Sequence, residues 1–331
     1  MSNPSDSTPI ADFSSSGDQV IVPLTPTQLA VRRFRKHRMA NIGLFILGFI
    51  LVYISFGSLL SRGYCAPLQT DLTGEAYANC NDTKLKLQPP SKDHIFGTDV
   101  IGRDIFARTI YGGQISVLIG ISAAIFEVVL GMLIGAIAAY YGGWIDNLLM
   151  RFTEAMLNIP SLFLLIIGAR FFGGGLPTIN FFGRELTGSV IIIIVIIGLT
   201  SWMYLARIVR ANILSLRERD YVSASRALGA SDARIIFSHL LPNTIAPLVV
   251  SATLGVASAI ISEAYVSFLG LGVQGSTATW GNMLDGAYQY LEKAPWLWFF
   301  PGTLILLIVL GINFVGDGLR DALDPYSTRH V

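Results

Sequence analysis

Residues 189–209 read SVIIIIVIIGLTSWMYLARIV, with Arg207 as the single charge. A run this long and this apolar suits the roughly 20 residues that an α-helix needs to cross a bilayer. Five further apolar runs lie at about 39–60, 115–141, 156–172, 245–269 and 296–316. The third is short and carries Pro160, the fifth carries Pro247 and the sixth Pro301. Proline is tolerated in a spanning helix when neighbours satisfy the freed carbonyl. The first run is too long for the apolar part of a cleaved leader, and no small-residue cleavage pattern follows it before Arg62. The whole chain of 331 residues is 52% hydrophobic and only 14% charged, against about 25% charged in a soluble domain. The reading is an all-α membrane protein with six transmembrane helices.

Lysine and arginine near the helix ends set the expected orientation. Arg32, Arg33, Arg35, Lys36 and Arg38 precede the first run, which puts the N-terminus in the cytoplasm. Six crossings return the C-terminus there. The stretch between the fourth and fifth runs becomes cytoplasmic as well, and it carries Arg207, Arg210, Arg217, Arg219, Arg226 and Arg234. Residues 61–114 form a long outside loop with balanced charge. Residues 1–24, rich in Ser, Asp and Pro without apolar periodicity, are expected to be a disordered cytoplasmic tail, and 327–331 a short second tail. Thr25-Pro26 reads as a helix start. The basic segment 25–38 is either an amphipathic helix on the membrane surface or a basic flank that only sets orientation.

The chain lacks a phosphate-cradling loop of the Gly-x-x-x-x-Gly-Lys-Ser/Thr kind, because none of its five lysines follows a glycine. Gly173-Gly174-Gly175 reads as a loop between spans. The histidines His37, His94, His239 and His330 are scattered, so no metal site is expected. A net charge of +1 gives no reason to expect nucleic acid. Cys65 and Cys80 both fall in the outside loop. They are either a disulfide, as an oxidising compartment allows, or two unpaired thiols.

The 210–242 loop holds Asp220-Tyr221-Val222-Ser223-Ala224-Ser225-Arg226-Ala227-Leu228-Gly229-Ala230-Ser231-Asp232. Asp220 is placed to cap a short helix, and Gly229 to let it exit left-handed. Ser231 is placed to cap a second helix running to Leu241, with Pro242 opening the approach to the next span. Two short helices built on small residues make a knob that another protein's backbone can approach closely.

The knob resembles the "EAA" loop of the permease subunits of ATP-binding-cassette (ABC) importers. Ser223-Ala224-Ser225, Gly229 and Leu241-Pro242 fall on that loop's spacing, with Ser223 where the family carries Glu. Three other stretches resemble the C-type permease subunit of oligopeptide and dipeptide importers. They are Gly97-Thr98-Asp99 with Gly102-Arg103-Asp104, then Ser267-Phe268-Leu269-Gly270-Leu271-Gly272, and finally Trp280-Gly281 with Gly316-Asp317-Gly318-Leu319-Arg320-Asp321. The resemblance covers about residues 30–326. It implies the type I ABC importer permease fold, with TM1 at 39–60 and a core of five spans over 115–326. It implies a non-catalytic subunit that pairs with a second permease as a heterodimer. Two ATPase subunits would bind ATP and Mg, no cofactor would be bound by this chain, and an extracytoplasmic binding protein would deliver a peptide. The coupling helix that meets the ATPase would comprise Asp220, Tyr221, Ser223, Ala224, Ser225, Ala227, Leu228 and Gly229. The same resemblance suits nickel or another small solute.

Two acids lie inside apolar runs, Glu127 and Glu263. A buried acid in lipid is costly, so each either walls the translocation path or hydrogen-bonds a neighbouring span or subunit. Asp99, Arg103 and Asp104 either touch the binding protein or order their own loop. Functions from other classes are an autonomous secondary transporter, against which there is no clear internal repeat, and a membrane enzyme, for which no cluster of nucleophiles is visible.

Overall fold

The structure is a computed structural model that describes residues 25–172, 177–181, 184–274 and 276–324. The tails at 1–24 and 327–331 and the glycine run at 173–175 lie outside the described residues. Helix α1 (Pro26–Lys36) begins as the sequence suggests, with a reciprocal cap between Thr25 and Gln28. His37 ends it and caps α2 (Arg38–Leu60), the first long apolar rod. Strands β1 (Arg62–Cys65) and β2 (Thr70–Thr73) form an antiparallel hairpin, followed by the short α3 (Gly74–Ala78).

Helix α4 runs from Ile105 to Tyr141, ten residues earlier than its apolar run begins. The reason is local. Asp104 accepts the Ala107 N–H at 2.8 Å and so starts the helix, while the polar first turns bury against the preceding loop rather than lipid. At 1.5 Å per residue α4 is about 55 Å long, well beyond the ~30 Å hydrocarbon core.

The third expected span is not one straight rod. Helices α5 (Gly143–Leu157) and α6 (Ser161–Phe172) meet at an angle of 83° around Asn158–Pro160. Proline lacks the N–H that would continue the ladder. At about 18 Å, α6 alone is too short to cross. Among the described residues five helices are long and apolar enough to cross a membrane, or six if the bent pair counts as one.

Strands β3 (Ile179–Phe181) and β4 (Arg184–Leu186) pair antiparallel before α7 (Gly188–Arg217). Helix α7 is the innermost rod. Val190, Ile193, Ile197, Leu205, Val209 and Ile213 are buried at helical spacing. Helix α8 (Asp220–Ala227) follows. The chain then rises as one 37-residue rod from Asp232 to Phe268. That rod comprises the single turn α9 (Asp232–Arg234), an irregular stretch over 235–244 around Pro242, and α10 (Ile245–Phe268). Helix α11 (Trp296–Leu323) closes the bundle against α2 and α10.

Contacts define two ends. Tyr53 and Thr109 share a hydrogen bond of 2.6 Å, so α2 and α4 run antiparallel. Arg33 donates to the Asp324 carbonyl at 2.8 Å, and His37 lies 3.4 Å from Asp321. Tyr140 donates to Asp232 at 2.6 Å. The α1 segment, the end of α11 and the α8 knob therefore share one end, and the 61–104 and 269–295 segments occupy the other.

Candidate functional site: the exposed knob and the buried carboxylate

Helix α8 is held by a single apolar pin. Val222 is 1% exposed and joins a core built from the end of α4, the end of α7 and the 235–241 segment. Almost everything else on α8 faces outward. Asp220, Tyr221, Ser223, Ala224, Ala227, Leu228 and Gly229 are exposed, and Leu228 is 88% exposed. Ser225 turns inward instead, donating to the Tyr221 carbonyl at 2.8 Å and lying 3.5 Å from His239. Asp220 does not cap the helix: Arg219 occupies that position and Asp220 is the first helical residue. Gly229 makes the left-handed exit, at φ +79°, with open space beyond it. Ser231 stands at the cap of α9 without a side-chain hydrogen bond.

Polar clamps tie the knob to the rods behind it. The Arg226 guanidinium lies 5.8 Å from the centre of the Tyr140 ring, and the Tyr140 hydroxyl holds Asp232. Arg217 donates to the Ala139 carbonyl at 2.9 Å, joining the end of α7 to the end of α4. Arg210 grips Asp146 of α5 through two bonds of 2.5 and 2.6 Å.

At the opposite end Glu263 is completely buried. Its carboxylate accepts from Ser267 at 2.6 Å, Thr279 at 2.7 Å and Ser116 at 3.3 Å. Each of these hydroxyls also accepts one backbone N–H, from Val273, Asn282 and Trp280 respectively. A hydroxyl has one proton, so a partner N–H on its lone pair leaves that proton for the carboxylate. Glu263 thereby orients three hydroxyls that sew the 273–282 segment onto α4 and α10. The Trp280 indole, itself fully buried, donates to the Thr109 carbonyl at 2.7 Å.

Glu127 is different. It is half-buried, and its carboxyl packs over Gly255 of α10. Among the described residues no hydrogen bond or ion pair reaches it. Eleven positions of α4 separate Glu127 from Ser116, about 16 Å along the axis, so the two acids occupy different levels of the bundle.

The long loop is ordered from within. Cys65 and Cys80 are joined in a disulfide. Asp99 accepts from the Arg103 Nε at 2.6 Å and from the Ile101 and Arg103 amides. Asp104 caps α4 and holds His94 at 2.8 Å. This hydrogen bond raises the His94 imidazole above its ordinary value, with burial opposing. Gly102 sits at φ +86°, where a Cβ would lie 1.7 Å from the Asp82 carbonyl oxygen, so only glycine fits. Phe96 stacks on Phe300 at 3.8 Å and Trp296 donates to the Thr98 carbonyl, docking the loop on the start of α11.

The model of the binding-protein-dependent transport system inner membrane component matches residues 131–328. The chain belongs to that family. A second model, the N-terminal transmembrane domain of oligopeptide transport permease C, matches residues 25–90 of this permease. It is 41% identical to the dipeptide transport system permease protein DppC of Alkalihalophilus pseudofirmus, over 91% of this chain and 90% of that protein. It is 38% identical to the oligopeptide transport system permease protein OppC of Bacillus subtilis, over 89% and 88%. Among solved structures, the inward-facing MetNI methionine ABC transporter is similar with a TM-score of 0.48 and 22% identity, over 64% of this chain and 94% of that one. The permease is a multi-pass inner-membrane protein and a non-catalytic component of a transport system.

The permease brings seven of the eight knob residues onto one exposed surface and turns Ser225 inward. It buries Glu263 in a hydrogen-bonded hub rather than along an open wall. Sequence reasoning missed Ser116 and Thr279 and the part Ser267 plays beside them in the hub, and it missed Tyr140 and the part Asp232 plays in bracing the knob. A serine four residues after a buried glutamate was one available signal, since that spacing shares a helix face. The other partners come from segments distant in the chain and left no local trace.

Proposed function

We propose that this permease forms one half of a translocation path for di- and oligopeptides, paired with a second permease subunit. The path is powered by two ATPase subunits that bind ATP and Mg, and supplied by an extracytoplasmic binding protein. The peptide class follows from the relatives named dipeptide and oligopeptide permeases. The observation that carries the mechanical part is the α8 knob. It presents Tyr221, Ala224, Ala227 and Leu228 outward, while Val222 and the Tyr140–Asp232 bond link it to α4, α7 and the long rod ending in α10. A helix seated this way passes a push from a partner to three rods at once. ATP binding on the partner chains then needs only to favour one arrangement of the rods over another. The arginines at the knob end support its placement in the cytoplasm.

The test uses the assembled transporter. Gly229→Arg strains the left-handed exit and adds bulk beside Leu228, and deletion of 221–229 removes the knob. Both variants are expected to reach the membrane yet lose ATP-dependent peptide uptake. Normal uptake in either would refute the coupling role.

A further inference from the structure

We propose that a cavity at the loop end of the bundle, built around Arg108, binds a carboxylate. Arg108 projects from the first turn of α4 and is 4% exposed. Its guanidinium is permanently charged and carries five N–H donors. Among the described residues its one hydrogen bond goes to a neutral acceptor, Asn79 Oδ1, at 3.3 Å, and no carboxylate lies within ion-pair distance. Asp99, on the same cavity wall, already accepts from Arg103 and two backbone amides. Asp99 offsets part of this charge from a distance, but no carboxylate touches the guanidinium, and a buried cation gains most from direct contact, so its remaining donors suit an anion from outside the chain.

A cavity of about 220 Å³ adjoins this arginine, with Asp99, Val100, Arg103, Arg108, Asp285 and Gln289 in its walls. Size and charge select the ligand. Pockets that enclose a drug-sized ligand run to about 300–1,000 Å³, so this one holds an acidic group and a few attached atoms rather than a whole oligopeptide. The four charged wall groups sum to zero, Arg103 and Arg108 against Asp99 and Asp285, so recognition rests on the guanidinium of Arg108 rather than on net charge, and the two wall carboxylates disfavour a phosphate dianion. The planar guanidinium fork matches a carboxylate bidentately. Two sources share this chemistry: a free small acid or peptide C-terminus, and an acidic side chain presented on a polypeptide.

The experiment measures thermal stability of the full-length permease in lipid nanodiscs at constant ionic strength. The probes are acetate, acetamide, N-acetyl-glycylglycine and the blocked peptide acetyl-Gly-Asp-Gly-amide. Acetate is expected to raise the melting temperature and acetamide to leave it unchanged. The tighter of the two peptide probes identifies a terminal or a side-chain carboxylate as the natural source. Arg108→Gln is expected to weaken the acetate response about tenfold or more, the loss of a charge-assisted contact. If Arg108→Gln does not fold, Val100→Trp fills the cavity while keeping the charge, and should abolish the response. Equal stabilisation of wild type and either variant, or no response of the wild type to any carboxylate, overturns the proposal. The readout involves no transport and is independent of the peptide-import reading.

Discussion

Glu263 sets three hydroxyls that each hold a backbone amide of the 273–282 segment. A hydroxyl left without an acceptor in a buried site costs roughly 1–3 kcal/mol. Glu263→Leu strips all three at once and is expected to lower the melting temperature markedly and to open 273–282 to hydrogen exchange. Glu263→Gln keeps an oxygen where Ser267 and Thr279 both donate to the same Oε1, so it should retain most of the stability. A leucine variant as stable and as protected as wild type would show that the hub is dispensable. Trp280-Gly281 was visible in the sequence as a motif without a role. The role depends on Ser116, which lies more than 160 positions earlier, and no periodicity reports such a pairing.

The 61–104 segment is a small element of its own, stapled by the disulfide and fastened to α4 through His94 and Asp104. The His94 imidazole is raised by that contact. A raised histidine contributes stability that is fully present below its unfolded value of about 6.5 and is lost as pH climbs through the folded value. The stability gap between wild type and His94→Gln should therefore be larger at acid than at alkaline pH, on the order of 1–2 kcal/mol at its widest. A gap that does not change with pH would mean the contact is not charge-assisted. For the knob, small residues between capping types were enough to mark a compact helical piece. The inward turn of Ser225 and the seating of Val222 were not, because both depend on where the ends of α4 and α7 stand.

Across the whole molecule, α1, α8 and the end of α11 gather at one end and the stapled loop at the other. Arginine-rich segments at the knob end predict that it faces the cytoplasm. Both native cysteines are consumed in the disulfide, so single introduced cysteines report sidedness cleanly. Leu68→Cys should react with a membrane-impermeant maleimide in intact cells, and Ser223→Cys only after the membrane is opened. The reverse pattern would invert the orientation and remove the basis for ATPase coupling through α8.

Hydropathy and motif order alone establish the membrane class, the positions of the long rods, the family and the location of the knob, because each is written in consecutive residues. Side-chain period and run length act locally, so they survive without knowledge of neighbours. The Cys65–Cys80 pairing, the Glu263 hub and the burial of Arg108 out of direct contact with any carboxylate come from the assembled bundle. Each depends on which groups from distant segments share a buried volume, where every donor must find an acceptor and every charge a partner. That matching is a property of three-dimensional packing.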